Sequence, residues 1–481
     1  MVLQDIEPGE VFHFFEEICS IPHPSYREKA ISDYLVAFAR ERNLEVQQDD
    51  LYNVIIVKEA TQGYENVEPV IIQGHMDMVC EKTPDCTKDM ETEGLDLYVD
   101  GDYVRAKDTT LGGDDGIAVA YALALLDSQT ISHPKLEVVI TVSEEVGMEG
   151  ASHIDLSGLT GHTLLNIDSE EEGIFLTSCA GGCVARLEIP VASSKAQGLL
   201  AEVEISGLAG GHSGTEIDKN RGNANVLLAR VLNACCSVVP IRLVSMEGGK
   251  KDNVIPSLAK AQVLLNPGDW EVFESGVHRM QQALGEEYAV SDAGISTTVE
   301  RIGEQECQAV SHEDTRKALG AIIGLPDGVQ YMSSEISGLV ETSLNLGIMK
   351  VEVTGGIQLS YCIRSSVTTR KHFLVQRLQA IAGALGGTVE ITGDYPAWEY
   401  RRDSRIREKM VSLYRQMYGK EPEVQAIHAG LECGILAGEI DGLDCVSFGP
   451  DILDIHTVQE RLSISSTKRV WEFLIKLLAM K

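Results

Sequence analysis

The sequence predicts an α/β protein with a mostly parallel sheet flanked by helices, interrupted by an inserted α+β domain. Three observations carry this. Over residues 1–181, short apolar runs alternate with amphipathic helical stretches, the pattern of strands joined by crossover helices. Near residue 182 the pattern changes to strict apolar/polar alternation, as in antiparallel strands with one wet face. After residue 396 the helix–strand–helix pattern returns. The expected division is 1–181 and 397–481 for the two parts of one domain, with 182–396 inserted between them.

In order, EVFHFFEEICS reads as an amphipathic helix ended by IPHPS. SYREKAISDYLVAFARERN reads as a second helix, with Ser25 and Glu28 spaced as a capping box. NVIIVK and PVIIQG are short apolar strands, GIAVAYALALLDS is a small-residue helix, and LEVVITV and HTLLNID are two further strands. In the insert, CVARLEIPVAS and AEVEISGL alternate, NANVLLARVLNACCS is helical, and IRLVSM, AKAQVLLN, IMKVEVTG and GIQLSYCIRSS follow as strands. The last part reads SRIREKMVSLYRQMYG (helix), EVQAIHAG and DCVSFGP (strands), and TKRVWEFLIKLLAMK (helix).

Composition narrows the function classes. The 481 residues carry a net charge of −33, which argues against nucleic acid and anionic membrane as partners. No apolar run reaches membrane-spanning length, and the N-terminal stretch lacks a signal-peptide core. Eleven cysteines without a repeating CxxC frame point to reduced thiols and a cytoplasmic protein.

The chemistry gathers at strand ends. PVIIQGHMDMV puts His75 and Asp77 after one strand, and TLGGDDGIAVA puts Asp114 and Asp115 in a glycine-rich turn before a helix. VVITVSEEVG gives Glu144 and Glu145, TLLNIDSEEE gives Asp168, and SFGPDILDIHT gives His456. Each has a plainer reading alone: a helix N-cap for DDG, a solvated charged loop for Asp168 to Glu172, a satisfied histidine for His456. Jointly they fall on the strand C-termini of one α/β sheet, the edge where sites form. Two histidines with several carboxylates suit zinc, manganese or cobalt better than calcium, and one bridging carboxylate lets such a set hold two ions. Asp77, two residues from His75, can accept from the second ring nitrogen and orient the imidazole. If Glu145 faces a metal, its neighbour Glu144 is free to act as general base.

GHMDMV, LGGDDGIAVA, SEEVGMEGA, NIDSEEEG and the late IHT resemble the M20 clan of dinuclear zinc peptidases. GLAGGHSGTEI, GLVETSLNLG and HAGLECGIL resemble its aminoacyl-histidine dipeptidase branch (Xaa-His dipeptidase, peptidase D). The resemblance implies a zinc-peptidase-like catalytic domain with a lid and two Zn(2+) per subunit, Mn or Co being alternatives. By motif, His75 and Asp168 hold one ion, Glu145 and His456 the other, and Asp114 bridges them across a cis Asp114–Asp115 peptide. Glu144 is the base and Asp77 orients His75. In the lid, His212 stabilises the oxyanion, often supplied by the partner in dimeric relatives. Asn253 holds a substrate carbonyl, Arg364 its carboxylate and Glu432 its ammonium. Two departures stand out: DDG replaces the DDK or DNG of many relatives, and TVQERLSISS after His456 replaces a serine-proline continuation.

The resemblance therefore implies a homodimeric metallopeptidase, a dipeptidase hydrolysing unblocked small peptides, with Xaa-His substrates such as β-alanyl-histidine in view. The alternative is another M20-type hydrolase: an N-acyl amino acid deacylase, tripeptidase or carboxypeptidase.

Overall fold

The structure, a computed structural model, describes residues 2–481. The chain forms two compact units, Met1–Cys179 with Tyr400–Ala426 and Leu431–Lys481, and Ala180–Glu399 with Ile427–Gly430. The short stretch Ile427–Gly430 groups with the second unit, although the helix-strand-helix pattern around it belongs to the first.

The first unit is built on an eight-stranded sheet. Its centre is parallel: Leu136–Thr141, Val70–His75, Thr163–Asn166 and Asp444–Ser447 lie side by side in that order. Every residue of Leu136–Thr141 is buried, as the unbroken apolar run requires of a strand covered on both faces. The α/β sheet flanked by helices is as expected, with antiparallel strands added at its flanks. Glu45–Gln48, Val54–Lys58 and Ile174–Cys179 pair antiparallel with their neighbours. The first two are joined by a short turn, and a short connection permits only antiparallel pairing.

The helices Gly9–Cys19, Lys29–Glu41, Gly113–Asp127, Arg405–Tyr418 and Ile464–Leu478 share one apolar core with this sheet. Gly113–Asp127 is buried at every residue except Asp127, so its small-residue composition answers to packing on all sides.

The predicted capping box is absent. The helix starts at Lys29 with no side-chain cap. Ser25 Oγ instead donates to Asp77 Oδ2 (2.7 Å), and Glu28 Oε1 accepts from Ser143 N (3.0 Å) and Oγ (2.8 Å). Buried groups at the sheet edge outcompete the helix end for both side chains.

The second unit holds an antiparallel nine-stranded sheet. It shares a core with the helices Ala224–Cys236, Trp270–Glu287, His312–Gly324 and Thr368–Ala384. No described helix is long and apolar enough to cross a membrane.

One close approach fixes the loop after Thr163–Asn166. A Cβ on Gly449 would lie 1.8 Å from the Ser169 carbonyl oxygen, and Ser169 Oγ lies 2.8 Å from Ser447 Oγ. Gly449→Ala is expected to destabilise the protein by about 1–3 kcal/mol, since backbone must move to admit the methyl group. A fall in the thermal midpoint checks this, and an unchanged midpoint refutes it.

Candidate active site

The parallel strands deliver their C-termini to one edge. His75 is the last residue of its strand and registers with Thr141, three residues before Glu144. Gln73 registers with Asn166, two residues before Asp168. Asp114 enters from the first turn of the buried helix, and His456 from the segment after Ile452–Leu453.

Asp114 lies between two imidazoles. Its Oδ1 is 3.2 Å from His75 Nε2, and its Oδ2 is 3.1 Å from His456 Nε2. Each imidazole has one more carboxylate: Asp168 Oδ1 at 3.6 Å from His75 Nε2, and Glu145 Oε1 at 2.9 Å from His456 Nε2. Ligand-type atoms of His75, Asp114 and Glu145 fall within 4.8 Å of one another, as do those of His75, Asp115 and Asp168. Asp115 Oδ2 also accepts the backbone N–H of His75 (3.2 Å), which sets it behind the strand end. The Asp114–Asp115 peptide bond is cis.

Asp77 organises this edge. Its Oδ1 accepts from Glu144 N (3.0 Å), and its Oδ2 accepts from Glu145 N (3.3 Å) as well as from Ser25. His75 Nδ1 is 3.0 Å from the Asp77 carbonyl oxygen and 3.4 Å from its Oδ1. With Nδ1 turned to these acceptors, the Nε2 lone pair is left for a cation. One carboxylate thus orients His75 and holds the backbone of both adjacent glutamates.

The charge balance favours a cation. Burial opposes charge on His75, but Asp114, Asp168 and Asp77 outweigh it and raise its pKa well above the usual value. Asp114 and Glu145 raise His456 to about 10. Burial pushes Asp168 up to about 6 and Glu144 well above the carboxylate range, with neighbouring carboxylates adding to both. Imidazole nitrogens and carboxylate oxygens converging on an acid-rich crevice fit zinc, manganese or cobalt.

Glu170, not singled out from the sequence, also turns inward. Burial and the neighbouring Asp114 and Asp168 push it up to about 7. Its signal was a run of acids in which alternate members face opposite ways. Glu171 is exposed, whereas Glu172 forms a paired contact with Arg469.

Glu432 requires a correction. It is 0 % exposed, and its Oε2 accepts from Gln73 Nε2 (2.6 Å) and Thr141 Oγ1 (2.7 Å). A group holding a substrate ammonium must meet substrate, whereas this carboxylate is enclosed within the first unit.

His212, Asn253 and Arg364 lie in the second unit. His212 pairs with Val254 in a two-stranded ribbon, and Ser213 N donates to Asn253 O (2.9 Å). His212 Nδ1 accepts from Gly214 N and Thr215 N, both at 3.3 Å, so the ring hydrogen belongs on Nε2. Burial, then the charge of Arg364, lower the His212 pKa and keep that tautomer neutral. Asn345, which the sequence reading did not single out, donates through Nδ2 to Asp252 O and Val254 O, both at 2.9 Å. It clamps the peptide on either side of Asn253. Arg364 is 8 % exposed, donates to Tyr395 Oη (3.3 Å) and keeps Nε without a partner.

In the metal-free protein the neighbouring carboxylates favour the protonated form of both site imidazoles. A cation must displace those protons. Zinc binding at pH 7 is expected to release about two protons and to tighten as pH rises. Calorimetry in buffers of differing ionisation enthalpy counts them, and a buffer-independent heat refutes the expectation.

The chain is 35% identical over 480 residues to the cytosol non-specific dipeptidase of Escherichia coli (strain K12), covering 99% of this chain and 98% of that protein. It is similar to the crystal structure of aminoacylhistidine dipeptidase from Vibrio alginolyticus, with a TM-score of 0.92, 36% identity and coverage of 99% and 97%. Aminopeptidase PepT from Bacillus cereus ATCC 10987 shares the fold, with a TM-score of 0.56, 16% identity and coverage of 98% of each chain. The model of peptidase family M20/M25/M40 matches residues 71–480, and the chain belongs to that family.

Proposed function

We propose that the protein is a dinuclear metal-dependent dipeptidase acting on small peptides with a free amino group. The observation that carries this is Asp114, whose two oxygens face His75 and His456, each of which meets one further carboxylate. In this reading His75 and Asp168 hold one ion, Glu145 and His456 the other, and Asp114 is shared. Zinc is the proposed metal, with manganese and cobalt as alternatives. When bound, the ions lower the pKa of water towards neutrality and polarise the scissile carbonyl.

The residues of the chain supply the remaining work. Glu144 takes the proton of the attacking water and passes it to the leaving amine. Its burial suits this role, because desolvation raises the proton affinity of the carboxylate that must take up the proton. Asp77 keeps His75 oriented and Glu144 in place. His212 offers its Nε2 hydrogen to the developing oxyanion, Asn253 binds a substrate carbonyl, and Arg364 binds the carboxylate by its bidentate fork. The similarity to dipeptidases supports the substrate class and makes Xaa-His peptides such as β-alanyl-histidine the first to test. Eleven cysteines without a repeating CxxC frame support a cytoplasmic location. A homodimer is proposed, with His212 acting on its own or the partner's substrate.

The deciding experiment compares β-alanyl-histidine, several α-dipeptides and their N-acylated forms, using chelated protein before and after zinc or manganese is restored. Metal-dependent cleavage of the free-amine peptides is expected; preference for blocked substrates would instead assign another M20-type hydrolase. Glu144→Gln is expected to lower kcat by about 10²–10⁴-fold while zinc binding persists. Turnover within a few-fold of wild type removes Glu144 as the base. His212→Ala is expected to lower kcat by about 10²–10³-fold, and an effect confined to KM would exclude oxyanion stabilisation.

A further inference from the structure

The segment Gly113–Asp127 carries Asp114 and Asp115 just inside its start, where the backbone departs from helical geometry (φ −83°, ψ 107° and φ −116°, ψ 29°), and no side chain caps its N-terminus. A helix start leaves four backbone N–H groups without intrahelical partners, and an aspartate there ordinarily turns back to accept one of them. Here the acceptor comes from far along the chain. Glu460 Oε2 accepts from Leu111 N (2.8 Å) and Gly112 N (3.1 Å), and its Oε1 accepts from Gly113 N (2.8 Å) and Asp114 N (3.4 Å). Glu460 is 3 % exposed. Gly112 takes φ 66°, a left-handed conformation that aims successive N–H groups at one point.

We propose that Glu460 is the positioning residue of the metal centre: by taking up the N–H groups of residues 111–114, it frees both oxygens of Asp114 to face His75 and His456. The inference rests on the metal-bridging role proposed above for Asp114. Glu460 also follows His456 by four residues. One segment thus presents a ligand histidine and fixes the loop that carries the shared carboxylate. With those N–H groups unpaired, the Asp114 carboxylate would be a nearby competing acceptor. Glu460 removes that competition.

The test titrates metal-depleted full-length protein with zinc against a chromophoric chelator, well below the thermal midpoint. Glu460→Gln keeps the size of the side chain but replaces one acceptor oxygen with a donor that opposes the loop N–H groups. Zinc affinity is expected to fall about 10–100-fold, the range typical of groups that orient metal ligands. Ser404→Ala is the control. Ser404 Oγ caps a different helix by accepting from Arg407 N (3.1 Å), so its loss lowers stability and leaves zinc affinity unchanged. If Glu460→Gln does not fold, Glu460→Asp, which keeps the charge but shortens the reach, is titrated in its place with a loss in the same direction expected. Affinity within twofold of wild type, with a lowered thermal midpoint, overturns the proposal and leaves Glu460 as a helix cap only. Wild-type protein that binds no zinc overturns the proposed function itself, a separate outcome.

Discussion

The first unit is organised around a single shared carboxylate. Asp114 is set between two imidazoles, and each imidazole is held by a further acid. Like charges gathered in a buried crevice repel strongly, because a low-dielectric surrounding screens them little. That repulsion is relieved by protons on some of the carboxylates or by cations among them, whether protonated imidazoles or metal ions. The architecture follows from holding these groups together. The parallel centre of the sheet brings three strand ends followed by a histidine or acids to one edge, a buried helix presents the shared acid, and a late segment closes the set.

Much of this was legible in the sequence because strand ends are. An apolar run that stops at a histidine or an acid marks where the chain leaves the core, and parallel strands stop on the same side. So His75, Glu145 and Asp168 were identifiable without coordinates. The adjacency of Glu144 and Glu145 found its explanation in Asp77, whose two oxygens hold both backbone N–H groups. What was illegible depended on long-range partners. Ser25 and Glu28 carry the spacing of a capping box, but Asp77 and Ser143 claim them. Glu432 sits in a string that reads as a site loop, yet it faces Gln73 and Thr141 inside the fold. Glu460 was one acid among many, since nothing local marks it as the acceptor for a helix hundreds of residues upstream.

The second unit shows the same economy on a smaller scale. His212 lies in the short ribbon and Asn253 just before its second strand, with Ser213 N donating to Asn253 O, so their spacing is set by backbone pairing rather than by the reach of side chains. Asn345 ties that ribbon to a long strand of the nine-stranded sheet. Gly347, two residues on, leaves room for the approach: a Cβ there would lie 2.3 Å from the Asp252 carbonyl oxygen. The string ETSLNLG therefore encodes the support for a loop whose own sequence, KDNVIP, shows nothing of it.

The order in which these pieces are made has a bearing on the life of the protein in the cell. His75, Asp114, Glu145 and Asp168 emerge from the ribosome before any of the second unit exists, whereas His456 and Glu460 emerge only after all of it has been synthesised. A growing chain thus carries the acids and one histidine without the group that completes them or the one that holds their loop. The cluster of imidazoles and carboxylates is therefore complete only once both units have been translated.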